Sequence, residues 1–155
     1  MSAITVRSAQ TQDAAAIAAL LEGIGWFKAH EQATDEQALQ AVATLIAAPH
    51  SSLLLVAEHA SQGICGYCAV HWLPSAVLLG WEAYVSELFV ADSARGLGAG
   101  TLLLNAATQA ARERRCQRIW LVNNRERPSY QRGFYQQQGW TEQAEMARFV
   151  LPLNT

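Results

Sequence analysis

Apolar positions along the chain change their period several times, and each change marks an element. Ile4-Thr5-Val6-Arg7 alternates, which predicts a first strand. Ile17, Leu20, Leu21 and Ile24 recur at the spacing of one helix face; Thr11 is placed to cap that helix and Gly23 and Gly25 to end it. Thr34 and Gln37 have the spacing of a capping box for a second helix, with a buried face of Ala38, Val42, Leu45 and Ile46. Pro49 halts it. Residues 53–58 and 64–73 are short apolar runs either side of a turn, the pattern of an antiparallel hairpin. Residues 82–90 are rich in β-formers and make the strongest strand of the chain.

Three glycines break that strand before Ala99, Leu103, Ala106, Ala107 and Ala110 return to helical spacing, predicting a helix to about residue 115. Residues 119–122 read as a buried strand. Pro128 suits the first turn of another helix, which Gly139 would close, and residues 149–151 read as a last strand. No linker, repeat or low-complexity stretch interrupts residues 1–155. The expectation is one α/β (α+β) domain with a mixed, mostly antiparallel sheet.

Composition narrows the class. The 155 residues are 51% hydrophobic and 15% charged, which suits a packed core and excludes a disordered chain. A net charge of −2 supplies no global field for nucleic acid or an anionic membrane. No apolar run approaches the roughly 18–20 residues of a membrane span, and the N-terminal residues lack the charged-then-apolar design of a secretory signal. Three cysteines do not make a disulfide framework. A cytoplasmic protein with reduced thiols is expected.

The chemistry concentrates after the strongest strand. Ser86-Glu87-Leu88-Phe89-Val90 leads through four residues into Arg95-Gly96-Leu97-Gly98-Ala99-Gly100-Thr101, so a glycine-rich turn opens directly into a helix. Such a turn aims main-chain N–H groups and the positive end of the helix dipole at an anion, and Arg95 adds a cation at its mouth. A P-loop is excluded because no lysine follows Gly100. A dinucleotide fingerprint fails because its third glycine falls at Thr101, and the next strand ends in Asn123 and Asn124 rather than a ribose-binding acid.

A third pattern fits. Arg95-x-x-Gly98-x-Gly100 resembles the Arg/Gln-x-x-Gly-x-Gly/Ala signature of the GNAT superfamily of N-acetyltransferases. Glu87-Leu88-Phe89-Val90 looks like that family's acid-Leu-x-Val strand, and Phe134-Tyr135-Gln136-Gln137-Gln138-Gly139-Trp140 resembles its second signature. The resemblance covers roughly residues 84–140. It implies a GNAT-like fold: a twisted sheet of about six or seven strands, about four helices, and a splayed central strand pair. It also implies acetyl-CoA as co-substrate, no metal, and a small-molecule or peptide amine as acceptor.

By the same resemblance, main-chain groups of Leu88, Phe89 and Val90 bond the pantetheine arm. The Val90 N–H polarises the acetyl carbonyl, as oxyanion donors do in acyl transfer. The N–H groups of Gly96, Leu97, Gly98, Ala99, Gly100 and Thr101 hold the pyrophosphate. Tyr135 matches the tyrosine assigned to protonate the departing thiolate; the alternative is that it only packs and hydrogen-bonds the sulfur. Glu87 is the candidate base, with Glu82 behind it. Some relatives place a glutamate where this chain has Ser86, and strand alternation points neighbouring residues to opposite faces. Many relatives carry a pantetheine-contacting asparagine where this chain has Pro128. A coenzyme-binding module without catalysis is the competing reading. Similar proteins commonly form homodimers, but no feature of this chain fixes an interface.

Other features have plainer readings. Cys65 and Cys68 fall on a strand at odd spacing, facing opposite sides, so a zinc site with His71 is set aside in favour of buried thiols. His71 reads as a sheet-edge or core residue. Arg112, Arg114, Arg115 and Arg118 suit a helix C-terminus, and no nucleic-acid face accompanies them. Trp26 and Phe27, in the loop running to His30, either grip the acceptor or plug the sheet.

Overall fold

A computed structural model of the chain describes residues 3–26 and 33–153. They form two compact units, Met1–Val122 and Asn123–Thr155. The first contains β1 (Ile4–Ser8), α1 (Ala14–Ile24), α2 (Asp35–Ile46), β2 (Ser52–His59), β3 (Gly63–Ser75), β4 (Gly80–Val90), α3 (Ala99–Glu113) and β5 (Ile119–Leu121). The sheet follows chain order, β1-β2-β3-β4-β5. The first three pairings are antiparallel and β4–β5 is parallel. The α/β class and the mixed sheet are as expected, with five strands among the described residues rather than six or seven.

Both faces of the sheet are covered because its central strands are apolar on both sides. Leu55, Ala57, Cys68, Val70, Ala83 and Val85 pack with Leu103 and Ala107 of α3 on one face. Leu54, Val56, Tyr67 and Ala69 pack with Ile17, Leu21 and Val42 of α1 and α2 on the other. Fully burying a side chain such as Leu103 or Val70 contributes roughly 1.5–3 kcal/mol. The capping box of α2 is present: the Gln37 N–H donates to Thr34 Oγ1, and the Thr34 N–H to Gln37 Oε1. Of the four residues expected to bury on α2, only Val42 is fully buried. Thr11 begins a short 3-10 turn, and α1 starts at Ala14.

Two β-bulges change which residues share a face. On β3, Gly66 pairs with Ala57 and Ile64 with Glu58, leaving Cys65 as the extra residue. Cys65 and Cys68 consequently lie in one hydrophobic cluster, not on opposite sides. On β4, Glu87 pairs with Ala69 and Val85 with Val70, so Ser86 is extra. Before it, Ala83 and Val85 face α3; after it, Leu88 and Val90 do. The alternation has slipped by one residue.

The second unit contains α4 (Pro128–Gln131) and α5 (Phe134–Gln137). A single helix from Pro128 to Gly139 was expected; Gly133 at φ 69° splits it, since a left-handed residue cannot continue an α-helix. Pro128 does open the first turn. Residues 149–151 form no strand among the described residues, and Phe149 is 93% exposed. Apolar β-formers make a strand only where another edge takes their main-chain bonds.

One ion pair ties β1 to the start of α1. The Arg7 guanidinium meets both Asp13 carboxylate oxygens, at 2.7 and 3.0 Å, and Asp13 also accepts the Gln10 N–H at 2.7 Å. Asp13 is buried, and the Arg7 hydrogen bonds hold its carboxyl below the usual carboxylate range despite burial. A depressed folded-state pKa stabilises above the unfolded value and ceases to do so as pH falls through the folded one. Asp13→Asn is therefore expected to cost about 2 kcal/mol at pH 7, discounted for the part-exposed Arg7. Thermal melts from pH 7 to pH 2 should show the two proteins converging below about pH 4. A gap that stays constant with pH would remove the charge from this account.

Candidate active site

The site is built on the end of β4 and the turn that follows. β4 pairs with β5 at only three positions, Ala83 with Ile119, Tyr84 with Trp120 and Val85 with Leu121. β4 runs five residues further, so the two strands part company at Val85. The Ala91 N–H donates to Cys65 O on β3 at 2.7 Å. Antiparallel alternation then turns the main-chain groups of Phe89 toward β3, and those of Leu88 and Val90 to the opposite side. Two of the three residues expected to bond an added extended arm are therefore oriented for it, and Phe89 is committed to the sheet.

The turn itself is a row of amide donors. Residues 95–98 are exposed, and Gly98 is the N-cap of α3 at φ 84°, with Gly96 at φ 81°. The Arg95 N–H donates to Asp92 O and the Leu97 N–H to Ala94 O, so those two are used within the loop. The N–H groups of Gly96, Gly98, Ala99 and Gly100 donate to no protein acceptor among the described residues. A Cβ at Gly96 or Gly98 would meet nothing within 4 Å, which leaves open space beside those amides. Ala99, Gly100 and Thr101 occupy the first turn of a 15-residue helix, where the dipole favours an anion. The turn thus suits a diphosphate. Arg95 is paired with Asp92 at 3.0 Å on the surface, a contact weak enough to exchange for another anion.

The α1 face of β4 carries the titratable groups. Glu87 accepts the hydroxyl of Tyr67 at 3.3 Å. Burial, with the Glu87 charge beside it, pushes the Tyr67 phenol well above its ordinary value, and burial likewise pushes the Cys68 thiol up to about 12. Ser86 shares a 2.8 Å hydrogen bond with His71 Nε2. His71 lies two residues from Ala69 and four from Tyr67 on β3, so all three share the α1 face. The bulge therefore brings Ser86 and Glu87 onto one face, where plain alternation would separate them. Tyr84 stacks on Trp120 at 4.3 Å and lies 6.1 Å from His71. Trp26 meets Phe89 edge-on at 6.2 Å, while Phe27 to His30 lie outside the described residues. Glu82 is held by Arg118 at 2.7 Å.

In the second unit, Tyr135 is half-buried on α5, with ring contacts to Phe134 at 5.0 Å and Trp140 at 6.1 Å. Asn123 Oδ1 accepts the Ser129 hydroxyl, and Asn124 Oδ1 accepts the Glu126 N–H. Both carboxamides thus shape their own loop.

A model of the acetyltransferase (GNAT) family matches residues 19–140. The chain belongs to that family. It is 30% identical over 148 residues to YhfO of Bacillus subtilis (strain 168), an uncharacterized N-acetyltransferase, covering 96% of this chain and 97% of that protein. Among solved structures, a transcriptional regulator from Bacillus halodurans C-125 superposes with a TM-score of 0.79 at 23% identity, covering 96% of this chain and 99% of the other. A ribosomal-protein-alanine N-acetyltransferase from Brucella melitensis biovar Abortus 2308 gives 0.76 at 20% identity, covering 98% and 100%. At these identities the structures share the fold.

Within this acetyltransferase, the features set aside earlier have structural partners. Arg114 lies 4.6 Å over the Trp72 ring and donates to Pro49 O, and Arg115 takes a left-handed conformation just past α3. Cys65 and Cys68 are buried and free, and no group of three metal-ligating side chains occurs among the described residues. No helix there is long and apolar enough to cross a membrane. The contact between His71 and Ser86 is what sequence reasoning missed. The signal was non-local: they lie 15 positions apart and meet only through the β3–β4 register.

Proposed function

We propose that this GNAT acetyltransferase transfers the acetyl group of acetyl-CoA to a primary amine, within a ternary complex. The observation that carries this reading is the turn at residues 96–100, with four undirected amide donors at the N-terminus of α3 beside the unpaired end of the β4–β5 ladder. Bound there, acetyl-CoA supplies an activated acyl group. The N–H groups of Gly96, Gly98, Ala99 and Gly100 hold its diphosphate, Leu88 and Val90 orient the arm, and the Val90 N–H faces the carbonyl oxygen. Tyr135 is assigned the proton that the departing sulfur needs. Glu87, engaged by Tyr67, sets the polarity of the acceptor side. The acceptor is a small-molecule or peptide amine.

Binding is tested first. Acetyl-CoA at 100 times its dissociation constant stabilises the folded state by about 2.7 kcal/mol, which corresponds to a rise in Tm of roughly 5–10 °C for a domain of this size. An unmoved Tm would end the assignment. Free thiol released in the presence of polyamines, aminoglycosides, amino acids and peptide N-termini then tests transfer. The second reading, a coenzyme-binding module without catalysis, draws on Asn123 and Asn124 being occupied in their own loop. It predicts the same rise in Tm with no thiol release.

A further inference from the structure

We infer that His71, acting through Ser86, is the group that takes the proton from the acceptor amine. This rests on the acetyltransfer reading above. Both β4 carboxylates that sequence alone offers have protein partners: Glu82 holds Arg118 at 2.7 Å, and Glu87 holds the Tyr67 hydroxyl. His71 is different in kind. It is half-buried, and its Nε2 meets a serine hydroxyl at 2.8 Å, a group able to pass a proton on. Ser86 is the bulged residue of β4, and bulges re-aim side chains. Its hydroxyl thereby reaches the face that carries Glu87, one residue past the last β4–β5 pair. An imidazole also matches the task, because its ordinary titration range lies closer to neutral pH than a carboxylate's.

The step balances as follows. With the ring proton on Nδ1, Ser86 donates its hydroxyl proton to His71 Nε2 as its oxygen takes one proton from the acceptor ammonium. The freed amine lone pair forms the new C–N bond at the acetyl carbonyl carbon. As that bond forms, the carbonyl π pair moves onto oxygen; when the C=O re-forms, the C–S bond breaks, the sulfur leaves with its electron pair, and Tyr135 gives its phenolic proton to the sulfur. The second proton on the now positively charged acyl nitrogen passes back to the Tyr135 phenolate, leaving a neutral amide and the starting phenol. The imidazolium then returns its proton to solvent. Among the described residues of β3 and β4, the titratable side chains on the His71 side of the sheet are Tyr84, 6.1 Å from its ring, Glu87, Tyr67 and Glu82, the last with Arg118 against it.

The test is the pH profile of kcat/KM, with acetyl-CoA and the best amine from the screen. Wild type should lose activity as pH falls, because the ring is then protonated and accepts nothing. His71→Gln should lower kcat/KM about 100-fold at neutral pH and erase that acidic limb, with the acetyl-CoA dissociation constant unchanged within about twofold. Glu87→Gln should keep the limb. The imidazole titration of His71, followed by NMR on the wild-type protein, should have the midpoint of the limb; this readout needs no variant to fold. A limb that survives in His71→Gln, a limb that disappears in Glu87→Gln instead, or midpoints more than about one pH unit apart would overturn the inference. A wild type that binds acetyl-CoA but acetylates nothing overturns this inference and the acetyltransfer reading together. An active wild type matched by His71→Gln overturns this inference alone.

Discussion

Replacing Gly98 by valine is expected to raise the dissociation constant for acetyl-CoA about 30-fold, equivalent to about 2 kcal/mol. Gly98 is the N-cap of α3 at φ 84°, where an L-residue is strained by roughly 1–2 kcal/mol and a β-branched one by more. Relief of that strain rotates the peptide planes on either side, and these carry the N–H groups of Gly98 and Ala99 that point at no protein acceptor. The isopropyl group also enters open space where a diphosphate would lie. The control is Gly63→Val. Gly63 has φ 77° and equally open surroundings, but it sits at the β2–β3 end of the sheet. It should lose comparable stability while binding acetyl-CoA as wild type does. Calorimetric titration of both variants separates backbone strain in general from strain at the anion site. Equal affinities in the two would mean that the amides around Gly98 hold nothing.

The second large effect concerns the phenol of Tyr135. Tyr135→Phe is expected to reduce kcat about 100-fold while leaving the acetyl-CoA dissociation constant within about twofold. The ring contacts with Phe134 and Trp140 survive the change, so a packing role alone predicts a fall of less than about threefold. A thioester with a more acidic thiol should restore much of the loss, because a better leaving group needs less protonation. Steady-state kinetics with the two thioesters decide the matter. If both substrates are slowed alike, the proton reaches sulfur by another route.

The glycine turn was legible in the residues because its physics is local: a strand, a positive-φ glycine and a helix start are consecutive in the chain. The same holds for the capping box at Thr34 and Gln37, and for Pro128 opening a helical turn. One error arose where a partner distant in sequence was needed. Residues 149–151 have strand composition, yet no neighbouring edge among the described residues takes their bonds. The other was local: the helix expected from Pro128 overlooked that Gly133, in its middle, could as easily divide it as be carried along.

Local order in the residues thus settled the sheet's first four strands, the glycine turn and the family signatures, since each depends on neighbours within a few positions. The facing of Ser86, Glu87 and Cys65 did not follow from local order. A bulge is one extra residue on one strand, visible only when the opposing strand supplies the count. The pairing of His71 with Ser86 and the Tyr67 hydroxyl on Glu87 both follow from that register. Long-range pairing fixed which side chains share the α1 face of the sheet, because it sets the offset between strands that no single strand records.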